Sequence, residues 1–233
     1  MNICVIPARG GSKRIPRKNI KEFNGKPIIA YSIEAALNSN CFNQVIVSTD
    51  DNEIAKVAKK YGAQVPFVRP EKLSNDYAGT IPVIKHAIDW MERKNNYFEY
   101  VCCLYATAPF ISPQIISKSY QQLKKSKSDY CFSVTTFPFP IQRSIKIIKD
   151  KKVKMLYPKY FDTRSQDLEE TYHDAGQFYW GSAKAFKDEI PIFSEIATPY
   201  ILPRYLVQDI DTIEDWIRAE AMYKALQKSR IST

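Results

Sequence analysis

Ile6-Pro7-Ala8-Arg9-Gly10-Gly11-Ser12-Lys13-Arg14-Ile15-Pro16-Arg17-Lys18-Asn19-Ile20 is the stretch from which the fold is read. Asn2 to Ile6 just before it reads as a short buried strand, and Pro27 beyond it opens an apolar-periodic run of helical spacing. Between them lie adjacent glycines, a serine and five cations, Arg9, Lys13, Arg14, Arg17 and Lys18. Glycine lets backbone N–H groups turn toward a ligand with no Cβ in the way. Successive turned N–H groups form an anion site that nearby cations deepen. The expectation is a triphosphate cradle at the carboxyl end of the first strand of an open α/β sheet, where such folds place ligands. Ser12 precedes Lys13, so this is no Walker A motif, and no G-x-G-x-x-G occurs. The plainer alternative is a basic, solvated turn.

The alternation continues outward. Pro27 to Leu37 reads as a helix, Asn43 to Thr49 as a buried strand, and Glu53 to Tyr61 as a second helix capped by Asp50 or Asp51. Gly62 stands where that helix would end, and Val65 to Val68 reads as a short strand. Such β-α-β-α-β order predicts a mostly parallel central sheet flanked by helices, a Rossmann-like α/β fold in a single domain. Arg69 to Thr80 breaks the periodicity as an ordered loop before a helix from Ile81 to Trp90. Tyr100 to Leu104 and Asp129 to Thr136 are further strands, with a helix from Ser112 carrying Pro113 in its first turn.

From Phe137 to Tyr172 the pattern changes. Two alternating segments around Asp150-Lys151-Lys152 suggest a hairpin, and Thr163 to Leu168 is irregular and polar. Residues 137–172 therefore read as an excursion from the core. His173 to Trp180 returns as a strand, with Gly176 allowing close approach of a substrate to backbone. His173 invites a general-base reading, set against a structural one. Near the end, Leu206 to Thr212 is an apolar run finishing in Asp209 and Asp211. Strand periodicity would put both carboxylates on one face. Paired carboxylates at a strand end suit Mg²⁺, which keeps waters and shares phosphate oxygens. Asp211 or Thr212 is also placed to cap a final helix from Ile213 to Leu226.

At 233 residues, with 45% hydrophobic and 25% charged, the chain suits one globular domain. Its net charge of +9 favours anionic partners. No basic block, arm or tail of the kind that wraps nucleic acid occurs, which argues against a nucleic-acid partner. No apolar run is long enough to cross a bilayer, and no signal peptide is expected. Five cysteines without a C-x-x-C pair, four of them in strand-like runs, suit a reducing cytoplasm better than a disulfide framework.

Pro-Ala-Arg-Gly-Gly-Ser-Lys-x-x-Pro-x-Lys-Asn resembles the signature of the CMP-sugar synthetases that activate sialic acid and Kdo. From the N-terminus to about the last helix, the chain is most similar to the branch of that family acting on pseudaminic acid, a nine-carbon sialic-acid-like sugar. The resemblance implies that the loop binds the triphosphate of CTP through Ala8, Arg9, Gly10, Ser12, Lys18 and Asn19. Arg-Pro-x-x-Leu-Ser-x-Asp resembles the nucleoside-reading segment, so Arg69 and Ser74 are carried over to nucleoside binding. The other reading of Arg69 is a structural contact to Asp76. Thr107 and Pro109 match the family's segment after the third buried strand, while Tyr105 stands where a sugar-contacting glutamine is usual. A tyrosine suits a sugar deoxygenated at its chain end and carrying two amides; the other reading is a tyrosine that packs the strand end.

Residues 137–172 correspond to the family's dimerisation arm, so a homodimer is expected. The aromatics Phe137, Phe139, Tyr157, Tyr160 and Phe161 are compatible with such an interface. Arg143, Lys146 and Arg164 are the candidates for the sugar carboxylate, the two arginines first, set against an ordinary solvated face. Gln177, in a segment similar to the family's Asn-Gly-x-Ile-Tyr, is a further sugar-binding candidate. Asp209 and Asp211 match the Asp-x-Asp that holds the catalytic metal. The implied reaction joins CMP from CTP to the sugar's anomeric hydroxyl, releasing pyrophosphate, with Arg9, Lys18, Asp209 and Asp211 catalytic. Competing readings are synthetases for other acidic sugars or a UTP-dependent enzyme. A basic nucleic-acid-binding module and a P-loop hydrolase are the others, both disfavoured by the residues above.

Overall fold

The computed structural model describes residues 1–231. Strand β1 (Asn2–Pro7) has a central run buried on both faces, and a two-residue ladder of β2 (Glu22–Phe23) with β3 (Lys26–Pro27) closes the basic loop. Helix α1 (Ile28–Asn38) leads to β4 (Gln44–Ser48) and α2 (Asn52–Lys60), then α3 (Thr80–Glu92), β5 (Tyr100–Leu104) and α4 (Pro113–Ser126). β6 (Tyr130–Thr136) precedes the hairpin of β7 (Ile145–Ile147) and β8 (Val153–Met155). The chain ends through β9 (Tyr172–Ser182), α5 (Ala183–Lys187), β10 (Ala197–Ile201) and α6 (Ile213–Ile231).

Six strands form the main sheet in the order β10-β6-β9-β5-β1-β4. All neighbours run parallel except around β9, which is antiparallel to both β5 and β6. Alternation along the strands builds two cores. Cys4, Ile6, Val45, Val47, Cys102 and Leu104 face Ile29 and Ile33 of α1, Ile54 of α2 and Ile116 and Leu123 of α4. The residues between them, such as Ile3, Val5, Ile46, Val101 and Cys103, face Ile84, Ala87 and Ile88 of α3 and Phe186 of α5. Burial on both faces explains why these strands read as unbroken apolar runs. All five cysteines are free thiols. Among the described residues, no helix is long and apolar enough to cross a membrane.

Two strand expectations are corrected. Val65 to Val68 forms no strand; only isolated bridges from Ile46 to Gln64 and from Thr49 to Val68 touch the edge of β4. Leu206 to Asp211 is likewise not in the sheet. The edge position beside β6 is taken by Ala197–Ile201, and the chain then turns through a 3-10 turn at Arg204–Leu206. Backbone groups of the later segment bond side chains instead: the Leu206 carbonyl accepts from Gln177 Nε2 at 2.6 Å, and the Ile210 carbonyl accepts from Lys18.

Gly176 sits at an irregularity in β9. Space around its Cβ position is open, and it is required by its backbone, at φ +59. It lies where the pairing of β9 with β6 shifts register. The resulting bulge turns Asp174 onto the same side as Tyr179, five residues on, which a regular strand would place on opposite faces.

A third, smaller cluster fastens the ends of the chain together. Ile15 from the basic loop, Phe23, Ile28 and Tyr31 pack with Ile210, Trp216 and Ala219. Phe23 meets Trp216 edge-on at 5.5 Å and Tyr31 at 5.6 Å. Ile15 and Ile210 are fully buried there. Ile210→Ala is expected to lower unfolding free energy by about 2–4 kcal/mol in urea denaturation. The far core, around Phe186, should keep its hydrogen-exchange protection below the global unfolding limit.

Candidate active site

The loops after β1 and β5 lie side by side at the carboxyl end of the sheet, because β1 sits between β4 and β5. They open onto a cleft of about 580 Å³ whose third wall is the 69–80 loop. Of the loop residues expected to hold phosphates, Arg9, Ser12, Lys18 and Asn19 line it. Ala8 and Gly10 do not. Ala8 is buried and donates its N–H to the Ser48 carbonyl at 2.9 Å. Gly10 donates to Asp50 Oδ1 at 3.0 Å, and Ser12 donates to the Gly10 carbonyl. These three N–H groups are thus taken up within the protein. A Cβ on Gly10 would lie 2.8 Å from Asp51 Oδ2, so the glycine serves close packing.

The five cations of the loop have different partners. Arg17, at φ 56, forks onto Asp51 at 2.6 and 2.9 Å and also pairs with Glu53. Asp51 in turn caps α2 by accepting from the N–H groups of Glu53 and Ile54. Arg17 is therefore a structural clamp outside the cleft. Arg9 and Lys13 both reach Asp76, each at 2.6 Å. Lys18 donates to the Ile210 carbonyl at 2.6 Å and to Asp211 Oδ1 at 3.2 Å, while Arg14 pairs with Asp211 Oδ2 at 3.0 Å. Asn19 Nδ2 holds the Arg9 carbonyl at 3.0 Å. The basic loop and the paired acids, 193 residues apart at Lys18 and Asp211, thus meet on one wall.

Asp211 lines the cleft; Asp209 stands beside it outside the lining. The Asp209 carboxyl is pushed above its usual range by desolvation and by the Asp211 charge, with Lys18 opposing. Two neighbouring carboxylates in this state fit a hard divalent cation, which takes few protein ligands when phosphate oxygens and waters complete the shell. Among the described residues, no group of three or more His, Cys, Asp or Glu is arranged for a metal. Thr212 caps α6, with Asp215 reaching back to the Thr212 N–H at 2.8 Å, a capping box that fixes where Asp211 points.

Arg69 lines the cleft and is 4% exposed. Its contact is not Asp76: Nη2 lies 3.8 Å from Asp50 Oδ1, and Nε and Nη2 have no hydrogen-bond partner. Burial pulls its pKa down, with Asp50 opposing. A guanidinium in a cleft wall has the donor chemistry to meet an acceptor edge, although its unpartnered Nε and Nη2 are themselves buried. Ser74 is turned away from the cleft, its hydroxyl bonding the Pro70 carbonyl at 3.1 Å.

Tyr105 and Thr107 line the cleft, whereas Gln177, Arg143 and Arg164 do not. Gln177 is buried and its amide is held by Leu206. Arg143 donates to the Thr163 carbonyl at 2.5 Å, and Arg164 pairs with Asp167. His173 is held by Phe137 and by the Asp174 carbonyl, away from the cleft.

Sequence reasoning missed a second, more apolar cavity of about 380 Å³ that shares Gly79, Thr80 and Tyr105 with the cleft. Tyr179, Asp174, Ile192 and Phe193 also line it. The Tyr105 hydroxyl bonds Thr80 at 2.9 Å, and Tyr179 donates to Asp174 Oδ2 at 2.5 Å. Burial pushes the Tyr105 hydroxyl up to about 12 and Tyr179 higher still, so both remain neutral donors. The signal that could have found Asp174 was masked by the bulge at Gly176.

Residues 3–213 match the model of a family described as cytidylyltransferase. A pseudaminic acid cytidylyltransferase of Campylobacter jejuni is 49% identical over 98% of both chains. A CMP-N,N'-diacetyllegionaminic acid synthase of Legionella pneumophila is 33% identical over 98% of this chain and 99% of its own. Among solved structures, a CMP:2-keto-3-deoxy-manno-octonic acid synthetase complexed with CTP superposes with a TM-score of 0.70 at 16% identity. It covers 96% of this chain and 98% of its own, a likeness of fold.

The Arg17 clamp makes a pH prediction. Arg17 and two backbone N–H groups hold the Asp51 carboxyl at about 2, below the ordinary 3.8. Its stabilising contribution is therefore complete above about pH 4 and fades as pH falls toward 2. Asp51→Asn should cost about 1–2 kcal/mol at neutral pH and flatten the acid limb of the stability curve, read by denaturant titration at several pH values.

Proposed function

The chain belongs to the cytidylyltransferase family, and on that premise we propose that it transfers CMP from CTP to the anomeric hydroxyl of pseudaminic acid. The observation that carries this reading is the meeting of Lys18 with Asp211 in a cleft that Arg69 also lines. One wall offers phosphate-binding cations, another an arginine suited to the acceptor edge of cytosine, and the acidic segment joins them. The sugar's anomeric oxygen bonds to the α-phosphorus as the bond to the bridging oxygen breaks. CMP-sugar and pyrophosphate leave, and the hydroxyl proton passes to an acceptor.

Arg9, Ser12, Lys18 and Asn19 hold the triphosphate in this reading, with Lys18 and Arg9 stabilising charge on the departing pyrophosphate. Mg²⁺ held by Asp209 and Asp211 would polarise the α-phosphoryl group. The sugar lies in the second cavity, where Tyr105, Tyr179 and Thr80 supply hydroxyls and Phe193 an apolar wall. Pseudaminic acid is favoured because 49% identity runs over nearly the whole of a cytidylyltransferase for that sugar.

Residues 137–172 serve as a dimerisation arm. Support comes from the β7–β8 hairpin, where Ile147 is 77% exposed and Val153 62%, together with exposed Phe139 and Phe161. The arm's occupant is a second copy of this chain, which brings Arg143 or Arg164 to the sugar carboxylate across the interface. Free thiols and a nucleotide substrate fit a cytoplasmic location.

Two measurements test the reading. Pyrophosphate release should require CTP and Mg²⁺ and be faster with pseudaminic acid than with Kdo or N-acetylneuraminic acid; preference for Kdo would overturn the sugar assignment. Asp211→Ala should reduce turnover at least ~100-fold while circular dichroism stays native. Unchanged turnover would remove Asp211 from the chemistry.

A further inference from the structure

One carboxylate stands among the cations of the cleft yet belongs to neither the paired acids nor the structural clamp. Asp76 accepts from Arg9 Nη1 through Oδ1 and from Lys13 Nζ through Oδ2, both at 2.6 Å. All three residues line the cleft. Arg9 and Lys13 come from the loop after β1, whereas Asp76 comes from the 69–80 loop, so the two pairs join two walls. A negative group is the opposite of what a triphosphate site would select for affinity alone. Lys13 and Arg9 hold the Asp76 carboxyl below the usual carboxylate range, so it stays an anion wherever a nucleotide triphosphate does.

The pairs are also accessible to water: the side chain of Asp76 is 40% exposed and that of Lys13 81%. Exposed pairs of this sort are weak and exchange readily. A tethered carboxylate nevertheless competes at a fixed local concentration, of order millimolar for short flexible tethers, which no dilution removes. A triphosphate carries several charges and adds base and ribose contacts, so it displaces such a competitor. Pyrophosphate, once severed from the nucleoside, has only its phosphate contacts left.

We propose that Asp76 is a tethered competitor for the phosphate-binding cations, which yields Arg9 and Lys13 to the incoming triphosphate and reclaims them to expel pyrophosphate. This rests on the nucleotidyl-transfer reading above. Asp76 acts through Arg9 and Lys13 and is a positioning residue. Its removal should strengthen anion binding, whereas loss of a mere loop brace would weaken it.

The test is calorimetric titration of the full chain with inorganic pyrophosphate and with tripolyphosphate, for the wild type, Asp76→Asn and Asp76→Glu. At low ionic strength Asp76→Asn should bind pyrophosphate about 5–20-fold tighter, and the gain should shrink in ~0.5 M salt. Asp76→Glu should restore wild-type affinity. In turnover with CTP, Asp76→Asn should be inhibited by lower pyrophosphate concentrations and show a lower kcat with a lower KM for CTP. Equal or weaker pyrophosphate binding by Asp76→Asn, or Asp76→Glu behaving like Asp76→Asn, overturns the proposal. Because the titration needs neither sugar nor cytosine recognition, it decides the role of Asp76 even if the sugar assignment fails. A wild type active on pseudaminic acid whose Asp76→Asn variant gains no affinity sinks the competitor alone.

Discussion

The ammonium of Lys18, bonded to the Ile210 carbonyl and to Asp211, joins the beginning of the chain to its end. On its own, a lysine–aspartate contact at a cleft wall would be a weak tie. What fixes it is the apolar cluster underneath, where Ile15 three residues before Lys18 and Ile210 one residue before Asp211 are buried together against Phe23 and Trp216. Hydrophobic burial sets the position, and the charges occupy the rim of the same contact. The sheet supplies the platform for one segment through β1, and α6 supplies it for the other through its capping box.

The excess of positive charge is organised by pairing. Asp51 takes Arg17, Asp76 takes Arg9 and Lys13, and Asp211 takes Arg14 and Lys18. These assignments separate structural from exchangeable contacts. The Arg17 pair is bidentate and shares its acceptor with a helix cap, so it is part of the fold. The Asp76 and Asp211 pairs are at the cleft, partly solvated, and open to replacement by phosphate or a divalent cation. Such a wall is ordered before its ligand arrives without leaving like charges crowded together.

Much of the fold was legible because the central strands are buried on both faces and several helices carry side-chain caps. Asp51, Ser112 and Pro113 mark helix starts that the structure places there. The failures have physical causes. Leu206 to Asp211 has the composition of a strand, but its carbonyls find side-chain partners, and Ala197–Ile201 already fills the sheet edge. Arg17 looks like any other cation of its loop, and only tertiary contact shows that it faces α2. Gly176 was visible as a glycine, yet composition does not say that its positive φ reverses the alternation that brings Asp174 to Tyr179. Cleft residues such as Arg9, Lys18 and Arg69 were legible from motif; the second cavity was not, because its walls come from α3, Tyr105 after β5, β9 and residues 192–193.

The single reversed strand has a further meaning for how such a chain can diversify. β6 ends and β9 begins side by side, with Thr136 opposite Tyr172, at the end of the sheet where the cleft opens. Two antiparallel neighbours need only a turn to connect them, so the 137–172 excursion is topologically optional. Lengthening, trimming or replacing it leaves every ladder of the sheet intact. The excursion leaves and rejoins the sheet at the end where the cleft opens, which makes this junction a natural grafting point for new segments on an unchanged core.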